Sequence, residues 1–184
     1  MIPLTDLWLP IAVSTVGCFV ASSILWMCSP LHKGDYKKID GEDELIGVVK
    51  KLNLRGGLFM FPYCTHGKPD PAAIEKFKAG PCGTLLIRHG GYSMGKPLAI
   101  WFIHLLIVCV LLAYIASLAL QPGADFMSVA QVVGTAGLLA FAGACLPEFA
   151  WKGVPGRNTL ASLVDALLYT IIVCVAFGLL WPKA

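Results

Sequence analysis

Two ionisable side chains stand inside long apolar runs of this 184-residue chain: His104, in Leu98–Leu120, and Asp165, in Leu160–Trp181. A carboxylate near the middle of a membrane-crossing helix costs about 2.5–3.5 kcal/mol on insertion scales, so it is normally paired or faces a wet cavity. Counted from the polar end of each run, His104 lies six residues in and Asp165 five. At helical rise these depths are about 9 and 7.5 Å. Ser22 and Ser23 reach a similar level in the run Trp8–Met27. The spacing therefore predicts that His104 and Asp165 meet in one polar layer, since each would otherwise lack a partner in lipid. Such a pair either fixes helix packing or relays a proton, and the packing strut is the plainer reading. A third option leaves Asp165 snorkelling toward Lys152 or Arg157.

The other residues with chemical potential fall short of a site. Gly90-Gly-Tyr-Ser-Met-Gly95-Lys96 matches the first seven positions of a phosphate-binding loop, between an expected strand and an expected helix. Pro97 then stands where a hydroxyl should hold magnesium, so a glycine hinge before a membrane helix explains the residues better. Cys64, His66, Cys82 and His89 offer zinc chemistry without a Cys-x-x-Cys knuckle. His104 alone cannot make a haem site, with His32 lying just beyond the first run. No Ser/His/Asp order or activated Cys/His pair is legible. Most of the seven cysteines sit in or beside apolar stretches, as small hydrophobes do, and only Cys64 and Cys82 fall in polar sequence. A disulfide framework is not expected. No catalytic, cofactor-binding or metal-ligating residue is assigned, and the chain is not read as an enzyme.

Composition sets the elements that position these residues. Hydrophobic residues make up 57% and charged residues 14% of the chain, where soluble domains carry about 25% charged residues. Four apolar runs stand out: Trp8–Met27, Leu98–Leu120, Phe126–Leu146 closed by Pro147, and Leu160–Trp181 closed by Pro182. Each has about the 20 residues needed to cross a bilayer, with tryptophans near several ends. The start, Met-Ile-Pro-Leu-Thr-Asp6, lacks the basic region of a signal peptide, so the first run is expected to be retained. In the third run Ala136, Ala140 and Ala144 recur every four residues, which suggests an internal seam of close helix packing.

Charge then sets orientation. Residues 30–96 hold 11 of the 14 Lys and Arg, and Lys152 and Arg157 join them on the same side, leaving only Lys183 on the other. The positive-inside rule places both termini outside and residues 30–96 in the cytoplasm. A net charge of +3 without a sustained basic run gives no reason to expect nucleic acid. Within the polar segment, acids at Glu42, Asp43 and Glu44 and bases at Lys50 and Lys51 mark a short helix. Gly57–Phe61 and Gly83–Arg88 read as strands, and Asp70-Pro71 opens a second helix that Gly80-Pro81 stops. The expected fold is an all-α membrane protein of four transmembrane helices with a small α/β cytoplasmic insertion between spans 1 and 2. Residues 1–29 form span 1, residues 30–96 the cytoplasmic cap leaning on the membrane surface, and residues 97–184 spans 2–4.

Several stretches carry a resemblance. They are Ala21–Met27 with His32-Lys33 and Asp35-Tyr36, Met60-Phe-Pro62, Gly80-Pro81, Met94-Gly-Lys96 with Trp101-Phe102, and Asp165–Tyr169 leading to Phe177–Pro182. Through these the chain resembles an uncharacterised family of small four-span bacterial inner-membrane proteins. The resemblance covers most of the chain and implies a shared architecture and a cell inner membrane location. It attaches no activity and carries over no functional residue. The expected function is that of a non-catalytic membrane protein, an accessory, stabilising or assembly subunit of a larger membrane complex. Its partners are then the lipid bilayer and a membrane protein or further copies of itself. The alternative is a small transporter or proton-linked protein built on Asp165 and His104.

Overall fold

The computed structural model describes residues 2–64, 70–88, 90–91 and 93–183. The chain divides into two compact units, Met1–Tyr36 with Ser93–Ala184, and Lys37–Tyr92.

The first unit is helical. A 3-10 turn at Leu4–Leu7 leads into α1 (Trp8–Met27), and α4 (Gly95–Ala119), α5 (Phe126–Ala142), α6 (Cys145–Lys152) and α7 (Gly156–Leu180) follow the inserted unit. Taken as four spans (Leu4–Met27, Gly95–Ala119, Phe126–Lys152 and Gly156–Leu180), these helices are long and apolar enough to cross a membrane, which marks a multi-pass membrane protein. α1 packs on α4 and α7, and α5 packs on α4 and most extensively on α7, so the four close a ring in the order α1–α4–α5–α7. Buried positions follow helical spacing, with Leu105, Cys109, Leu112, Ala113 and Ala116 on α4 and Tyr169, Val173, Ala176 and Phe177 on α7. At one end the N–H of Gly123, in the turn before α5, donates to Pro182 (2.8 Å), and the Trp181 indole donates to Gln121 (3.0 Å).

Two boundaries differ from the sequence expectation. α5 stops at Ala142, and α6 straddles Pro147 instead of ending before it. The pyrrolidine lacks an N–H and crowds the carbonyl four residues back, at Gly143, so the break falls there. α7 begins at Gly156, four residues before Leu160, which sets Asp165 deeper along the helix than expected.

The small-residue seam also differs. Ala136 packs against the core, but Ala140 and Ala144 are exposed, and the face of α5 turned to its neighbours carries Val129, Val133 and Gly137. A Cβ at Gly134 would meet Cys174 Sγ at 2.8 Å, and one at Gly137 would meet Val173 Cγ2 at 3.3 Å, so these two glycines set the approach of α7. Alanine periodicity misled because helix contact is decided by where α7 lies, and the glycines, off that period, allow the closer approach.

The second unit holds α2 (Glu42–Lys51), β1 (Gly57–Phe61), α3 (Pro71–Ala79) and β2 (Gly83–Ile87). The strands pair antiparallel, with Gly57 opposite Ile87 and Phe61 opposite Gly83. Asp70 caps α3 by accepting from the Ala72 N–H at 3.1 Å, with Pro71 in the first turn. Every residue of α2 and α3 keeps some exposure, so this unit has little core of its own.

Candidate functional site

The segment after α1 builds the most polar buried site among the described residues. Pro30 cannot extend the helix, and the chain folds into consecutive turns, with Lys33 N–H on Pro30 O (3.3 Å) and Asp35 N–H on His32 O (3.1 Å). The Ser29 hydroxyl steadies the first of them by accepting from the Leu31 N–H at 3.0 Å. These turns lay the His32 ring flat on Trp26, with centroids 4.1 Å apart and planes 7° from parallel.

α7 supplies the opposing face. Arg157 and Asn158 stand in its first turn and Asp165 two turns on, spacings that place them on one side of a helix. His32 Nε2 lies 3.0 and 3.2 Å from the two carboxylate oxygens of Asp165, and His32 Nδ1 lies 2.6 Å from Asp35 Oδ2. Arg157 closes the group, donating from Nη1 to Asp35 Oδ1 (3.3 Å) and from Nη2 to Leu31 O (3.2 Å). Asn158 Nδ2 donates to Asp35 O at 3.2 Å. His32 and Asp165 are each only 7% exposed.

The arrangement dictates a protonation state. A neutral imidazole has one N–H, yet both ring nitrogens of His32 face carboxylates, which suits the imidazolium with two donors. Burial alone would push the His32 pKa down. Hydrogen bonds and charge from Asp35 and Asp165 outweigh it and hold the pKa above the ordinary histidine value. With His32 and Arg157 cationic and the two aspartates anionic, the cluster is charge-balanced, the condition under which buried ions are tolerated. A histidine whose pKa is raised on folding adds stability that is complete below the unfolded pKa of about 6.5 and disappears as pH rises through the folded value. The thermal midpoint of the purified chain should therefore fall as pH is raised above that point, and the fall should shrink in His32→Gln. An identical pH profile in the variant would show that another group sets it.

The site corrects the expected pair. Asp165 is bound by His32, and His104 is exposed on α4, stacked on Trp101 with centroids 5.3 Å apart. The reason is angular: Leu105, Val108, Cys109 and Leu112 form the buried stripe of α4, and His104, about 100° from Leu105 and about 40° from Val108, stands at its outer edge. Ser22 and Ser23 both donate to Phe19 O, at 2.8 and 2.9 Å, and Ser22 accepts from the Trp101 indole at 3.0 Å. Of the two snorkelling partners expected for Asp165, Arg157 reaches Asp35 instead and Lys152 pairs with Glu148. His32 and Asp35 stand in the sequence as a His-x-x-Asp pair directly after a span end, and that spacing was the signal for them.

The carboxylates approach opposite nitrogens of one imidazole, so the three groups do not converge on a common point where an ion could sit. Of the other sequence candidates, Tyr92 in the glycine-rich segment and His66 and His89 in the cysteine–histidine set lie outside the described residues. Neither a family model, nor a curated protein, nor a solved structure matches this chain.

Proposed function

We propose that this chain is a non-catalytic membrane protein that serves as an accessory, stabilising or assembly subunit of a larger membrane complex, with the His32 cluster as a strut of its helix packing. The observation that carries the reading is that the cluster completes itself. Both imidazole nitrogens face carboxylates of the same chain, and Arg157 balances the remaining charge. Such a site ties the end of α1 to the start of α7. Purification in mild detergent followed by mass identification of co-purifying chains tests the proposal. Stoichiometric recovery with a larger membrane complex is expected, and recovery without any other protein would overturn it.

A second reading draws on the same atoms. Asp35, His32 and Asp165 form an unbroken hydrogen-bonded string of protonatable groups, as a proton-linked protein or small transporter would use, with His32 in the role expected of His104. An Asp165→Asn chain that still assembles but loses proton-coupled flux in vesicles would favour it over the strut.

The proposed setting is a bacterial inner membrane with both termini periplasmic and residues 30–96 cytoplasmic, supported by the 13-to-one division of basic residues between the two sides. Cysteine introduced at Ala124 should react with an impermeant thiol reagent on intact cells above the level of the parent chain. Cysteine at Asp70 should not, and the reverse pattern would invert the topology.

A further inference from the structure

The third span is the least covered of the four: 17% of its apolar window is buried, against 39% for the first and fourth. Its outward side is not uniformly apolar. Met127, Gln131, Thr135 and Leu138 are all exposed and stand at i, i+4, i+8 and i+11, one stripe of a helix. This stripe lies opposite Val129, Val133 and Gly137, which face the bundle.

Neither the Gln131 amide nor the Thr135 hydroxyl has a hydrogen-bond partner among the described residues. On the other spans Thr15, Ser22, Ser23 and Thr170 donate to carbonyls of their own helices, and Ser14, which has no partner among the described residues, is buried inside the bundle and not turned outward. Gln131 lies five residues beyond the first residue of α5, about 7.5 Å along the axis at helical rise. An amide held there against hydrocarbon lacks the water that would satisfy it.

We infer that the Gln131–Thr135 stripe of α5 is a self-association surface, and that its occupant is α5 of a second copy of this chain. Two features select a copy over a foreign helix. A carboxamide carries both acceptor and donors, so two of them can satisfy each other reciprocally. Copies of one chain also insert with the same orientation, so a two-fold axis along the membrane normal sets α5 parallel to α5 with every residue at the depth of its twin. Gln131 then meets Gln131 without any further requirement. A foreign helix would have to offer a polar group at that one level. This inference does not rest on the accessory-subunit reading, since a chain can pair with itself with or without a larger complex.

The test uses the full-length chain with a fluorescent tag, reconstituted in phosphatidylcholine vesicles over a range of protein-to-lipid ratios. Photobleaching should give two steps per particle at the higher ratios. Gln131→Leu should weaken the dimer about tenfold, the scale of an interhelical polar contact in a membrane. Gln131→Asn, which keeps the carboxamide, should lose less. Because Gln131 is exposed within its own chain, Gln131→Leu should leave the thermal midpoint of dilute protein unchanged, which separates lost pairing from lost folding. One-step bleaching at every ratio would overturn the inference, as would a dimer that Gln131→Leu does not weaken. A monomer that instead recovers a foreign membrane protein in a Gln131-dependent manner would also overturn it, because the occupant would then be another chain.

Discussion

Asp165→Ala is expected to lower the unfolding free energy of the chain by about 3–5 kcal/mol, the range for removing one partner of a buried ion pair. The loss comes less from the missing contacts than from what is left behind. His32, 7% exposed and stacked on Trp26, would keep Nε2 pointing at an empty place. Asp35 would remain on the Nδ1 side, already paired with Arg157, so the buried ring would keep only one of the two carboxylates that hold its proton. Asp165→Asn keeps an oxygen acceptor and the shape, and should cost about 1–3 kcal/mol, as for a buried hydrogen bond made poorer. Reversible unfolding of the purified chain in mixed detergent micelles measures both. A loss under about 1 kcal/mol for Asp165→Ala, the value of an exposed ion pair, would mean that the cluster contributes little to stability.

The second large effect is expected at the α5–α7 seam. Gly137 is buried, and a Cβ there would already stand 3.3 Å from Val173 Cγ2 and 3.8 Å from both Leu112 Cδ1 and Phe141 Cε2. Leucine at this position adds three more carbons between helices that have no room for them. Overpacking of this kind costs about 1–3 kcal/mol when neighbours can shift and more when a whole helix must move. Gly137→Leu should therefore lower the thermal midpoint strongly, while Leu139→Ala, at a site 71% exposed, should barely change it. Equal midpoints for the two variants would show that α5 does not need its close approach to α7.

The contrast between these two regions shows what the sequence made legible. Span number, the polar insertion, both of its helices and both of its strands follow from composition and punctuation, because apolar runs of about 20 residues and Gly or Pro stops act locally. The pairing of Asp165 did not follow. Run boundaries locate depth along a helix but not angle around it, and His104 has the right depth with the wrong angle. His32 lies outside any apolar run, and only the turns after Pro30 bring it back beneath Trp26. A ring stacked on the last turn of a span is a tertiary fact with no periodicity of its own. Gly134 and Gly137 were likewise visible as small residues, but their role depends on Cys174 and Val173 of a helix more than thirty residues away.

His32 and Asp165 act as one unit that joins the end of α1 to α7, and a double-mutant cycle on their unfolding free energies tests this coupling. His32→Gln, Asp165→Asn and the double variant are compared with the parent chain at pH 6, where His32 is protonated. Once either partner is lost the other has little left to give, so the double variant should be about 1–3 kcal/mol more stable than the two single losses summed, as contacting residues behave. Single losses that add to within about 0.5 kcal/mol, as they do for distant sites, would contradict the clasp.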